Sequence, residues 1–300
     1  MDKLQQQLKE LKPTKDFFIG IDSDGCVFDT MEIKQKECFC PNLIKHWNLQ
    51  PISKYARETW EFVNLYSKTR GINRFLALIR FFELIVERPE VKARNFEAPN
   101  IQAVKDWVSK ETKLGNPALE RYVSEVNDAI INQTFGWSVA VNETITGMVH
   151  GMPPFPYVKE SLERITLQAD AIVVSQTPVE ALVREWKEND IEHLVSVIAG
   201  QEFGTKTEHI ALAAKGKYPD NKILMIGDAP GDFKAAKSNG VLFYPINPGH
   251  EEKSWERFYK EALPKFYNME YEGDYEQSLI EEFDAYLPED PDWETIQNNL

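Results

Sequence analysis

An apolar run that ends on two acids constrains this chain more than anything else in it. Phe17-Phe18-Ile19-Gly20-Ile21 has no polar gap, and it stops at Asp22-Ser23-Asp24-Gly25. Unbroken apolarity over so short a span predicts a strand buried on both faces, the kind found inside a parallel sheet. Carboxylates at the carboxyl end of such a strand lie in the crevice where open α/β sheets take up ligands. They serve stability badly there, because neighbouring carboxylates repel and lose solvation unless a cation joins them.

Downstream, the pattern that this strand predicts returns only after a long interruption. Ala171–Val174 reads as a strand ending at Ser175, Leu194–Ile198 as another, and Lys222–Ile226 as a third ending at Gly227-Asp228. Val241–Tyr244 closes the set. Helical stretches lie between them: Tyr157–Gln168, a start at Thr177-Pro178-Val179-Glu180 in capping-box form, one beginning near Lys206, and Gly231–Ser238. Strand alternating with helix predicts an α/β fold, a Rossmann-like, doubly wound parallel sheet.

Between Thr30 and Val149 the strand signal vanishes. Met31–Trp47 reads as a helix broken near Pro41, Ser53 as the start of another, and Ile72–Val86 as a helix apolar nearly all round, which must be covered on most sides. More helices follow at about 98–111 and 117–133. The organisation expected is therefore a core from 13–30 and 151–245, an inserted all-α domain over 31–150, and a helical extension over 246–300 packed on the core. Residues 1–12 read as a short polar helix closed by Pro13, and Met152-Pro153-Pro154-Phe155-Pro156 as a stiff joint. A frayed end is expected after Pro288.

Charge narrows the function. The net charge is −14, and residues 246–300 hold 15 acids against 4 bases, a net of −11 that leaves −3 for the rest. An acidic surface disfavours nucleic acid as a partner. No apolar run reaches the ~18 residues that a membrane span needs. The polar opening Met1-Asp2-Lys3-Leu4-Gln5-Gln6-Gln7 carries no apolar leader, and Cys26, Cys38 and Cys40 form no paired framework, so the expected setting is a reducing cytoplasm.

In a parallel sheet the strand ends share one edge, which gathers Asp22, Asp24, Ser175 and Asp228, with Asp232 on the last loop and Lys206 at a helix start. Clustered carboxylates suit a hard cation such as Mg2+, which keeps room for phosphate oxygens. Ser175 and the backbone N–H groups that follow, Gln176 included, suit a phosphate at a helix N-terminus. Lys206 offsets like charges and stabilises a phosphoryl group in transfer. One carboxylate can attack phosphorus, and a second can move the proton. A calcium loop counted from Asp22 would need glycine at position 6 and glutamate at 12, where Val27 and Ile33 stand.

With these residues in place, the chain resembles the haloacid dehalogenase superfamily of hydrolases, in its capped phosphatase form. The matching stretches are Ile21-Asp22-Ser23-Asp24-Gly25, Val173-Val174-Ser175, Gly204-Thr205-Lys206-Thr207 and Ile226-Gly227-Asp228-Ala229-Pro230-Gly231-Asp232, in the family's order across residues 17–245. The resemblance implies Asp22 as nucleophile and Asp24 as acid and base. It implies Mg2+ held by Asp22, the Asp24 carbonyl, Asp228 and Asp232, and phosphate held by Ser175, Gln176 and Lys206. Dehalogenases and phosphonate hydrolases of the family lack the second acid of the first motif, so Asp24 favours phosphoryl transfer. Lys206 departs from many capped members in lacking a following Pro-x-Pro, with Lys215 and Lys217 as lesser candidates.

The function expected is a Mg2+-dependent phosphatase acting on a small phosphorylated metabolite, with the helical insertion closing over the site. Lys68, Arg70 and Arg74, the compact basic cluster of that insertion, are candidates to grip an anionic substrate. Two other readings are a phosphomutase of the same superfamily and a non-catalytic protein that binds a partner on this scaffold.

Overall fold

The computed structural model describes residues 3–293. Contacts divide the chain into two compact units: residues up to Met31 with His150–Leu287, and Glu32–Val149 with the chain from Pro288 onward.

The first unit is built on a five-stranded sheet: β1 Phe17–Ile21, β2 Ala169–Val174, β3 Val197–Ala199, β4 Ile223–Gly227 and β5 Leu242–Pro245. Its order is β3-β2-β1-β4-β5, and every pair is parallel. β1 lies centrally, buried along its whole length. Alternation sorts its residues. Phe17, Ile19 and Ile21 pack with Trp186, Trp255 and Phe266 on one face. Phe18 packs with Val174, Met225 and Phe243 on the other. Gly20 points to that second face, where an added Cβ would stand 3.1 Å from Val174. Register aligns the functional ends: Ile21 lies opposite Val173 on one side and Ile226 on the other. Asp22, Ser175 and Asp228 therefore follow their strands at one edge.

Several expectations change in detail. The strand expected at Leu194–Ile198 forms at Val197–Ala199, because Glu192–Leu194 takes a 3-10 turn first. The helix after β2 is Val179–Glu188, with Pro178 ahead of it and no side-chain cap at Pro178, so the capping box expected at Thr177 and Glu180 does not form. A capping box forms instead at Thr205 and Glu208, opening the helix Lys206–Ala213. Helices at Glu251–Arg257 and Asp274–Ala285 carry the acidic extension onto the sheet. Trp255 donates to the Cys26 carbonyl at 2.7 Å, and the Tyr271 hydroxyl to that of Phe243 at 2.7 Å. The expected N-terminal helix is seen as Lys3–Glu10, with residues 1–2 outside the described residues.

Every regular element among the described residues of the second unit is a helix. Pro41 does not break its helix: Lys34–Phe39 widens into a π-turn, the Cys40 N–H bonds back to Gln35, and an α-helix continues over Cys40–His46. A wide turn absorbs a residue that lacks an N–H. Cys38 and Cys40 are buried free thiols. The helix expected over 117–133 is two, Asn116–Glu125 and Ala129–Met148, because Asp128 caps the second by accepting from Ile130 and Ile131. Trp60, Trp137, Phe75 and Phe81 fill the core of this unit. Trp293 lies over the buried Arg88 guanidinium at 4.2 Å, and the Lys68 N–H bonds to the Pro288 carbonyl, so the last described residues dock here. No described helix is long and apolar enough to cross a membrane.

Candidate active site

The turn after β1 carries the first two acids. The Ser23 carbonyl accepts from Val27 at 2.8 Å, the Gly25 N–H bonds to Phe28, and Gly25 takes φ of 73°, a left-handed conformation suited to glycine. The Trp186 indole fixes the Ser23 hydroxyl at 3.0 Å. Asp22 itself bonds through its N–H to Ile226 at 3.0 Å, which extends the β1–β4 ladder by one residue. Its side chain is almost wholly buried.

Around Asp22 stand the groups expected at the strand ends. Lys206 donates to Asp22 Oδ2 at 2.7 Å and to Asp232 Oδ1 at 2.6 Å, bridging the two. The second oxygen of Asp232 accepts from the Ala229 N–H at 3.1 Å. One oxygen each from Asp22, Asp228 and Asp232 fall within 4.8 Å of one another, and all three residues are buried. Gly227 permits this crowding, because a Cβ there would lie 2.3 Å from that of Asp232.

Electrostatics follow from the packing. Burial first, then repulsion from Asp232 and Asp228, raises the Asp22 carboxyl well above the ordinary carboxylate range, against the opposing pull of Lys206. Burial alone would lower the Lys206 pKa, but Asp22 and Asp232 outweigh it and hold the ammonium protonated. His209, one helical turn on, is buried and pushed down to about 4, first by burial and then by the charge of Lys206. A divalent cation suits this donor set. Its ligands would be hard oxygens, and its charge would relieve the repulsion that raises Asp22.

Ser175 is buried at the end of β2, its N–H bonded to Ala199 at 2.9 Å, and its hydroxyl accepts from the Thr177 N–H at 3.2 Å. The Gln176 side chain ties this turn to the Gly204 carbonyl at 2.9 Å, two residues before Lys206. Asp24 accepts from two hydroxyls, Thr30 on Oδ1 at 2.5 Å and Thr177 on Oδ2 at 2.6 Å. Thr177 escaped the sequence reading as a site residue. Its only signal there is its position two residues after Ser175.

Lys68, Arg70 and Arg74 belong to the helical unit. Arg70 is buried and donates to the Leu65 carbonyl at 2.9 Å. Arg74 lies over the Phe39 ring at 4.9 Å and donates to the Ser138 carbonyl and hydroxyl and to Asn142. Burial lowers its pKa to about 10.

No family model matches the chain, and no curated protein matches it. Among solved structures, 86 chains match. One is a haloacid dehalogenase-like family hydrolase from Streptococcus pneumoniae, at 12% identity and a TM-score of 0.44 over 81% of this chain and 92% of that one. Another is described as a predicted phosphoglycolate phosphatase from Haemophilus somnus, at 16% identity and 0.46 over 78% and 86%. A third is a HAD-superfamily hydrolase of subfamily IA from Geobacter sulfurreducens, at 12% and 0.40 over 78% and 90%. A fourth is described as a putative beta-phosphoglucomutase from Thermotoga maritima, at 14% and 0.38 over 76% and 84%.

Proposed function

We propose that this protein is a Mg2+-dependent phosphatase that hydrolyses a small phosphorylated metabolite through an aspartyl-phosphate on Asp22. The observation that carries the reading is the buried cluster at the strand ends, where Lys206 bridges Asp22 and Asp232 beside Asp228. A nucleophilic carboxylate needs a fixed direction and charge around the phosphoryl group, and this cluster offers both.

The Ser175 hydroxyl and the Gln176 N–H hold the phosphate, and Lys206 stabilises the charge that spreads over its oxygens in transfer. Asp22 attacks phosphorus as Asp24 delivers a proton to the leaving oxygen. Asp24 then takes a proton from the water that attacks the aspartyl-phosphate. Mg2+ would be held by Asp22, the Asp24 carbonyl, Asp228 and Asp232, and would supply charge neutralisation to the phosphate oxygens. The acidic composition favours a small substrate over nucleic acid.

The test is phosphate release from a panel of phosphorylated metabolites, with Mg2+ and after chelation. Release that needs Mg2+ and disappears in Asp22→Asn is the expected result. Turnover by Asp22→Asn at the wild-type rate would sink the mechanism.

A further inference from the structure

The turn Ser175-Gln176-Thr177 carries a hydroxyl to which the proposed mechanism gives no task. Thr177 Oγ1 donates to Asp24 Oδ2 at 2.6 Å. Its spacing to Glu180 would instead put that hydroxyl on the first turn of the next helix. The helix begins at Val179, however, and the Val179 N–H is taken by Glu202 Oε2 at 3.0 Å. A carboxylate from the loop after β3 thus does the capping, and the Thr177 hydroxyl is left to face Asp24.

The rest of Thr177 is fixed on every side. Its N–H bonds to Ser175 Oγ at 3.2 Å, and its carbonyl accepts from the Gln201 N–H at 3.1 Å. Gly200 comes so close that a Cβ there would lie 2.4 Å from that carbonyl oxygen. The β-branch restricts χ1 further. The hydroxyl is therefore aimed by the backbone, not by chance rotation.

We infer that Thr177 is a positioning residue that orients the Asp24 carboxyl group through the hydrogen bond it donates to Oδ2. This rests on the phosphatase reading above. A hydroxyl that donates to Oδ2 suits the task because it fixes the carboxyl group without taking up the acid proton, which stays available to the leaving oxygen. In the first half-reaction the ester P–O bond breaks, the Asp22 Oδ–P bond forms, and the proton of Asp24 passes to the leaving oxygen. Thr177 then donates to the carboxylate that remains. In the second, the water O–P bond forms, the Asp22 Oδ–P bond breaks, and a water proton returns to Asp24. Because the Thr177 N–H also holds Ser175 Oγ, one residue sets the phosphate-facing hydroxyl and the proton donor together.

Thr177→Val removes the hydroxyl and keeps the branch, and Thr177→Ser keeps the hydroxyl. Both are compared with wild type on phenyl phosphate and p-nitrophenyl phosphate with Mg2+, reading kcat/KM, which reports the first half-reaction alone. Thr177→Val should lose roughly ten- to hundredfold on phenyl phosphate, the cost of a hydrogen bond to a charged group. It should lose clearly less on p-nitrophenyl phosphate, whose leaving oxygen needs less help from a proton. Thr177→Ser should return to within about threefold of wild type on both. Equal losses on the two esters, or a loss that Ser does not restore, overturn the positioning role. An active wild type matched by Thr177→Val overturns this inference alone. A wild type that releases phosphate neither from these esters nor from the metabolite panel overturns the proposed function and this inference with it.

Discussion

Two buried ionic clusters, one in each unit, solve the problem of desolvated charge in opposite ways. In the helical unit the fully buried Arg88 meets Glu58 at 2.6 Å, with Tyr55 and Trp293 rings over its guanidinium. Each charge is answered by opposite ones, Arg88 by Glu58 and by Glu90 at 3.4 Å, and Glu58 also by Lys54 at 3.8 Å, with aromatic faces over the guanidinium. In the sheet unit Lys206 is shared between Asp22 and Asp232, and Asp228 stands beside them. There the acids crowd, and burial first, then their repulsion, raises Asp22. A balanced buried pair is a packing element. A crowded set of acids is held together at a cost, and cation and phosphate chemistry gives that cost a use.

If this contrast is right, the two clusters fail differently. Asp22→Asn should lower turnover by about a thousandfold or more while leaving thermal stability unchanged or raised, because it removes repulsion with the nucleophile. Phosphate release and calorimetry on the same sample separate the two effects, and a large drop in melting temperature would break the contrast. Arg88→Met should do the reverse. Stranding Glu58 without its partner costs about 3–5 kcal/mol, and the double variant Arg88→Met/Glu58→Leu should recover much of it. Denaturant titration reads both, and the surviving folded fraction should keep its wild-type kcat. Gly227→Ala joins the two kinds of failure. Its Cβ would lie 2.3 Å from that of Asp232, so about 1–3 kcal/mol of stability and most activity should go together.

How much of this could be read from sequence depends on how local the cause is. Strand ends are local: an apolar run followed by Asp, Ser or Gly-Asp fixes both the strand and its last residue. The parallel register then gathers Asp22, Ser175 and Asp228 without further information. Lys206 was legible from its helix start. Thr177 was not, because its task depends on Glu202, a residue 23 positions later that caps its helix in its stead. Pro41 misled for a related reason, since a π-turn accommodates what an α-helix would reject. Arg70 read as a basic loop residue, and its bond to the Leu65 carbonyl belongs to a turn that its own neighbours fold.

The smallest expected effect lies in pH dependence, and it shows whether Asp22 is held as a carboxylate at a cost. A carboxyl whose folded pKa is raised above its unfolded value lends stability at low pH, and loses it as pH rises through the folded pKa. For Asp22 that window opens at the ordinary carboxylate value of 3.8 and extends upward. The metal-free wild type should therefore lose stability relative to Asp22→Asn as pH rises from about 4 toward neutrality. Acids away from the cluster titrate in the same range and cancel in the difference between the two proteins, which reads Asp22 together with Asp228 and Asp232. Added Mg2+ should flatten the difference, since a cation that neutralises the cluster removes the reason for Asp22 to hold its proton. Denaturant midpoints of the two proteins, measured in parallel at several pH values with and without Mg2+, read this directly. A difference that stays constant with pH would mean that Lys206 already balances Asp22. The cluster at the strand ends would then be a packing element of the same kind as Arg88 and Glu58.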